Sequence, residues 1–164
     1  MMKKLIIFLT LICCLGGFSC IPEKCCTPPV HSDFTATKNG SGWQVFDASG
    51  NIRQDTLTIA DTTVMPDHSE LIRFKVKFNG TGDYTLTADN IIYGYELQMD
   101  NPYVHYTLDS GYANAFNLAF YDSAAGFVSG TFNIKLNKDP ANTDTRFPAS
   151  VTFLNGSFNI HLSK

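Results

Sequence analysis

All seven tyrosines of the chain, at 84, 93, 95, 103, 106, 112 and 121, fall within 38 residues. On strands, Tyr93 and Tyr95 share one face, and Tyr103 and His105 share another by the same alternation. Aromatic rings with Asn and Asp beside them hold sugars on β domains by stacking and a few hydrogen bonds. That chemistry nominates Tyr93, Tyr95, Tyr103, His105 and Tyr106 as a ligand face. Tyrosine also favours strands for its own sake, ring half-buried and hydroxyl wet, so a plain core role stands beside it.

Acid–base chemistry has thinner support. His105 lies among Asp100, Asn101, Tyr103, Tyr106 and Asp109. A metal or proton-transfer site there needs the fold to converge those groups; otherwise they line a polar face. Glu96 and Asp100 suit glycoside cleavage only if they are held about 5–9 Å apart. No Gly-x-Ser-x-Gly elbow, phosphate-cradling glycine loop or His-Glu-x-x-His helix occurs. No catalytic residue, metal ligand or cofactor is nominated, and a non-enzymatic role is the simpler expectation.

The five cysteines stand at 13, 14, 20, 25 and 26, with none after Cys26. The domain beyond must therefore be stabilised by packing, without a disulfide. Lys3 and Lys4 precede an apolar run from Leu5 to Leu15, then Gly16-Gly17-Phe18-Ser19-Cys20. Positive, apolar and small residues in that order predict an export signal over 1–19. The apolar run falls short of the roughly 20 residues that span a bilayer. Small Ser19 before Cys20 resembles a lipoprotein cleavage box, although Gly17 stands where Leu is commonest. Acylation of Cys20 would anchor the mature chain to the membrane. The segment 20–32, with Cys25, Cys26 and three prolines, reads as a tether. Adjacent thiols with His31 make a poor metal set.

The elements that must carry the tyrosines read as strands. Ile72-Arg73-Phe74-Lys75-Val76-Lys77-Phe78 places four apolar side chains on one face and three cations on the other. Thr131–Leu136 and Phe158–Leu162 alternate in the same way. Further strands are expected at 33–37, 43–47, 55–60, 83–88, 91–97, 103–108 and 115–121. Asn39-Gly40-Ser41-Gly42, Ser49-Gly50-Asn51, Asn79-Gly80-Thr81-Gly82 and Asp139-Pro140 read as turns. One antiparallel β domain over 33–164 follows, a sandwich of about 8–10 strands or a closed lipocalin-like barrel. Trp43, the only tryptophan, is assigned to its core.

Phe127-Val128-Ser129-Gly130-Thr131-Phe132-Asn133-Ile134 matches Phe153-Leu154-Asn155-Gly156-Ser157-Phe158-Asn159-Ile160 at an interval of 26. Asn155-Gly156 alone would suggest a hairpin turn. Glycine in both copies instead points to a bulge or close approach within long strands. The two copies then pair as a final hairpin joined by the polar loop 137–148.

The segments Asn117–Asp122, Val128–Phe132 and Val151–Phe158, with Gly42-Trp43 at the domain's start, resemble a family of small lipoproteins of Gram-negative bacteria. Their β-rich C-terminal domain has no assigned function. The resemblance implies an all-β lipoprotein and brings no activity. Asp55-Thr56-Leu57, Asp61-Thr62-Thr63 and Asp122-Ser123-Ala124 resemble an O-glycosylation sequon of exported bacterial proteins, nominating Thr56, Thr62 and Ser123.

Formal net charge is −3, and loss of Lys3 and Lys4 with the signal leaves 10 bases against 15 acids. Without a basic surface or a like-charge run, nucleic acid is excluded as a partner. The expected partners are the membrane, through lipid, and a glycan or an envelope protein at the outer membrane. The alternatives are a periplasmic carrier of a lipophilic ligand, a hydrolase inhibitor using a loop such as 139–148, and a hydrolase built on Asp and His.

Overall fold

In the computed structural model, which describes residues 31–97 and 103–163, the period-two pattern resolves into antiparallel strands. They are β1 (Asp33–Lys38), β2 (Ser41–Phe46), β3 (Ser49–Arg53), β4 (Thr56–Val64), β5 (His68–Lys77), β6 (Gly82–Tyr84), β7 (Ile91–Leu97), β8 (Tyr103–Leu108), β9 (Ala115–Asp122), β10 (Phe127–Lys138) and β11 (Ser150–His161). The only helical piece among the described residues is a single 3-10 turn at Ala88–Asn90. The expected export signal, Cys20, Cys25, Cys26, Asp100 and Asn101 lie outside the described residues.

All eleven strands join one sheet, in the order β2-β1-β11-β10-β8-β7-β5-β4-β3, with β9 and β6 branching from β10. The sheet curls into a half-barrel. Its β3 edge returns to the end of β11, where Gly50 bridges Leu162 and the Ser163 amide donates to the Gly50 carbonyl at 2.7 Å. The all-β antiparallel class is as predicted.

Two local readings need correction. Ser49-Gly50-Asn51 is the body of β3, not a turn. A Cβ on Gly50 would lie 2.6 Å from the Ile160 side chain, so glycine serves close approach there. The turn comes later, at Gln54-Asp55, both in the left-handed region (φ 48° and 55°) and without a glycine to mark them. The expected strand 83–88 is mostly irregular, because only Gly82–Tyr84 finds a partner, in β9. Asn39-Gly40 behaves as read: both residues have positive φ and close a two-residue hairpin between β1 and β2.

The core is a set of rings contributed by the facing walls of the curl. Phe74 of β5 lies 5.0 Å from Phe116 of β9, 5.2 Å from Phe132 of β10 and 6.2 Å from Phe34 of β1. Phe116 stacks on Phe158 at 5.2 Å. Burying each such side chain stabilises by roughly 1.5–3 kcal/mol. Trp43 is half-buried at the rim of this core, edge-on to Phe153 at 5.0 Å.

β10 and β11 form the expected hairpin. Gly130 pairs with Phe158, and Phe132 pairs with Gly156. A Cβ on Gly156 would sit 2.6 Å from the Phe132 ring. One on Gly130 would sit 2.5 Å from the Phe158 ring and run into the Asn117 carbonyl. Each glycine therefore makes room for the aromatic ring of the opposite arm, which is the physical content of the repeat. Asn155 (φ 51°) adds a bulge beside Gly156, and its amide is taken by the Asn133 side chain at 2.7 Å.

Candidate functional site

The five nominated ligand residues divide between two faces. Tyr93, Tyr95 and Tyr106 point inward and are buried, whereas Tyr103 and His105 lie outside with their rings 5.9 Å apart. The inner three belong to a polar cluster at one end of the core. Lys38 Nζ lies 2.7 Å from both Glu70 carboxylate oxygens, and Glu70 is only 4% exposed. The Tyr93 hydroxyl donates to Glu70 Oε1 at 3.0 Å and shares a 2.7 Å bond with the Tyr95 hydroxyl. The ammonium also sits over the rings of Tyr95, Tyr93 and Phe153 at 5.3–6.0 Å. Phe147, from the loop after β10, stacks on Tyr95 at 4.5 Å and meets His68 edge-on at 5.7 Å. The Tyr106 hydroxyl donates to the Pro148 carbonyl at 2.7 Å.

Burial pushes the phenols of Tyr93 and Tyr106 well above their ordinary range; Glu70 adds to both, as does Tyr95. Among the described residues no buried side-chain polar atom lacks a partner. With its groups satisfied and Phe147 over its end, this cluster pins facing parts of the sheet.

Of the described members of the acid–base constellation around His105, Tyr103 stays beside it and two others are engaged elsewhere. Tyr106 is inside, while Asp109 pairs with Lys135 at 3.0 Å and accepts the Gly111 amide at 2.9 Å. The hydrogen bond to Lys135 holds the Asp109 carboxyl below the usual carboxylate range. Among the described residues no three His, Cys, Asp or Glu side chains gather as metal ligands. Of the nominated glycosylation positions, Thr62 and Ser123 are exposed and Thr56 is half-buried at the start of β4.

An open cleft of about 500 Å³ forms elsewhere, where β10 changes partners. Residues 127–133 of β10 pair with β9, and 136–138 pair with β8. The gap is bridged by the loop 109–114: Asn114 Oδ1 accepts the Lys135 amide at 2.9 Å, and the Asp109 amide donates to the Lys135 carbonyl at 2.8 Å. Tyr84, Leu86, Leu108, Tyr112 and Phe116 give the cleft apolar surface, and Asp83, Thr85 and Ser110 give it polar groups.

Its walls are held. The Tyr84 hydroxyl donates to the Gly80 carbonyl at 2.5 Å and accepts the Asn79 amide at 3.1 Å. Asn114 Nδ2 donates to the carbonyls of Asp109 and Tyr112. Asn90 ties the 3-10 turn to β5 by donating to the Lys75 carbonyl at 2.9 Å. The hydroxyls of Thr85, Ser110 and Tyr112 make no hydrogen bond among the described residues, so they can serve a ligand. The volume falls within the range of small-molecule clefts.

Sequence reasoning passed over Lys38, Glu70 and the cleft. Parity held a signal for the first two. Glu70 falls in step with Ile72, Phe74 and Val76, and Lys38 in step with Phe34, so alternation directs both inward. No family model, curated protein or solved structure matches the chain. Among the described residues no helix is long and apolar enough to cross a membrane.

Proposed function

We propose that the chain is an exported lipoprotein of the outer membrane, anchored through Cys20, whose β domain is a non-catalytic module that binds a short glycan. The observation that carries the binding role is the cleft at the partner switch of β10, with tyrosine rings and unengaged hydroxyls on a pinned frame. Sugars need that combination: apolar ring faces for their C–H surfaces and a few oriented hydroxyl partners. The anchor, the outer-membrane location and kinship with small Gram-negative lipoproteins rest on the sequence pattern of residues 1–20 and on the segments quoted above.

The competing readings draw less support. A carrier of lipophilic ligands needs interior space that Phe34, Phe74, Phe116, Phe132 and Phe158 fill. An inhibitory loop needs an apolar residue to offer, but Phe147 of the 139–149 loop is buried in its own domain. A hydrolase needs two converging proton-transfer groups; of those singled out around His105 that are described, Tyr106 is buried in the core and Asp109 is paired with Lys135.

The test is calorimetric titration of the purified full chain with neutral oligosaccharides, repeated with Tyr112→Ala. Saturable binding that Tyr112→Ala weakens about tenfold supports the reading, since stacking on one ring is of the order of 1 kcal/mol. Binding unchanged by that substitution would remove the cleft from the account. Mass spectrometry of the mature protein from cells tests the anchor: an N-terminal acylated Cys20 is expected, and a free N-terminus there sinks it.

A further inference from the structure

The described domain carries eight Lys and Arg side chains against thirteen Asp and Glu. Four of the eight are engaged: Lys38 with Glu70, Lys135 with Asp109, Arg146 with Asp144, and Lys138 with the carbonyls of Asp144 and Phe147. The other four, Arg53, Arg73, Lys75 and Lys77, form no ion pair among the described residues. They stand together on the outer face of β3, β4 and β5. Arg53 and Lys77 both flank Thr56, Lys75 flanks Thr58, and Arg73 lies between Ala60 and Ile92.

Strand geometry sets the dimensions. Arg73, Lys75 and Lys77 recur at about 7 Å along β5, and Arg53 lies two strands from Lys77, about 10 Å away. The outward positions of β3 to β5 hold Ser, Asn, Thr, Ala, Leu and Val beside these cations and no carboxylate. Asp55 in the adjoining turn and Glu96 beside Tyr103 pair with none of them.

A solvated outer face accounts for outward charge on a central strand such as β5, bonded to β4 and β7; a set of one sign, with no carboxylate among the outward positions of β3 to β5, is the feature that invites an anionic partner. Two strands beyond Arg73, the outer face changes character. A Cβ on Gly94 would lie 2.8 Å from the tip of the Tyr103 ring, so the ring leans along the sheet over that glycine. Tyr103 remains 39% exposed, with His105 beside it at a 31° tilt.

We propose that this outer face binds an acidic polysaccharide, with the four cations meeting its anionic groups and Tyr103 stacking on a sugar ring. A row of like charges at even spacing matches a polymer whose charges repeat, better than it matches a single small anion. The ring lies along the sheet instead of projecting from it, which suits a sugar face and offers little to insert into a lipid surface. The face shares no residue with the cleft, so the two sites stand or fall separately.

The experiment uses the purified full chain carrying Tyr112→Ala, which takes the cleft out of the comparison, with two acidic probes and their neutral counterparts: oligogalacturonate against its methyl ester, and dextran sulfate against dextran. Anionic phosphatidylglycerol vesicles and a single-stranded oligonucleotide complete the set. Binding of at least one acidic probe is expected, weakened by added salt because exposed charges are screened, with its neutral counterpart at least tenfold weaker. Lys75→Gln with Lys77→Gln should lose about tenfold, as two exposed ion contacts allow. Tyr103→Ala should lose several-fold. Lys75 and Lys77 are exposed, so their replacement leaves packing intact, which Trp43 fluorescence verifies. Failure of both acidic probes, equal affinity for acidic and neutral forms, or an undiminished double variant would overturn the proposal. So would tighter binding of vesicles or oligonucleotide through the same lysines.

Discussion

Replacing Lys38 with methionine removes the cation paired with Glu70 and leaves the carboxylate, 4% exposed, with the Tyr93 hydroxyl as its remaining side-chain partner among the described residues. Breaking a buried ion pair from one side costs about 3–5 kcal/mol, because the surviving charge stays desolvated. For a domain of about 130 residues that is a fall of roughly 10–18 °C in Tm. Glu70→Gln should cost less. The Lys38 side chain keeps 18% exposure and its three aromatic neighbours, so its ammonium can turn toward water. Lys38→Met combined with Glu70→Leu should recover to within about 1 kcal/mol of the parent, since an apolar pair carries no desolvation penalty. Urea unfolding followed by Trp43 fluorescence reads these proteins and Glu70→Leu alone, and the cycle of Lys38→Met with Glu70→Leu should give a coupling of about 2 kcal/mol or more. A Lys38→Met cost under about 1 kcal/mol, or a larger cost for Glu70→Gln, refutes the reasoning.

Gly156→Ala should destabilise by about 1–3 kcal/mol, the range for overpacking against a ring that can shift slightly. Gly130→Ala should cost more in the same assay, because the Asn117 carbonyl it meets is backbone. Burial raises the phenol pKa of Tyr93 and Tyr106 in the folded state, so unfolding releases protons once pH exceeds the ordinary tyrosine value near 10. Their contribution is complete below about pH 10 and falls as pH rises beyond it; Tyr93→Phe should flatten the fall in urea midpoints between about pH 9 and 11. The hydrogen bond from Arg146 lowers the Asp144 carboxyl to about 2, so its contribution is present above the ordinary 3.8 and lost as pH falls through 2. Arg146→Ala should return the NMR titration midpoint of Asp144 toward 3.8.

Alternation made most of the sheet legible, because a half-buried antiparallel strand must write its two faces into successive residues. β5 and β10 follow that rule residue by residue, and β11 does so on either side of its bulge at Asn155. β3 escaped because its glycine marks contact with Ile160, while the true turn at Gln54-Asp55 carries neither glycine nor proline. The tyrosine cluster was visible as composition. Its division between core and surface depended on strand phase, which grouped Tyr93 with Tyr95 and Tyr103 with His105 without saying which pair was wet. The cleft was not legible at all. It arises from β10 exchanging β9 for β8 along one edge, a property of pairing that no local window contains.

The exchange of glycine and phenylalanine between the arms of the final hairpin has a consequence beyond packing. The spacing Gly-x-Phe is the same in both arms, so each arm reads as a palindrome in antiparallel pairing. Two copies of β10 from different chains could interlock Gly130 with Phe132 as neatly as β10 interlocks with β11. The short connection 139–149 resolves that ambiguity, since it presents the sister arm at an effective concentration that a second molecule does not reach in dilute solution. Lengthening that connection would therefore do more than loosen a loop; it would let strands of separate molecules compete for a pairing that their sequence does not distinguish.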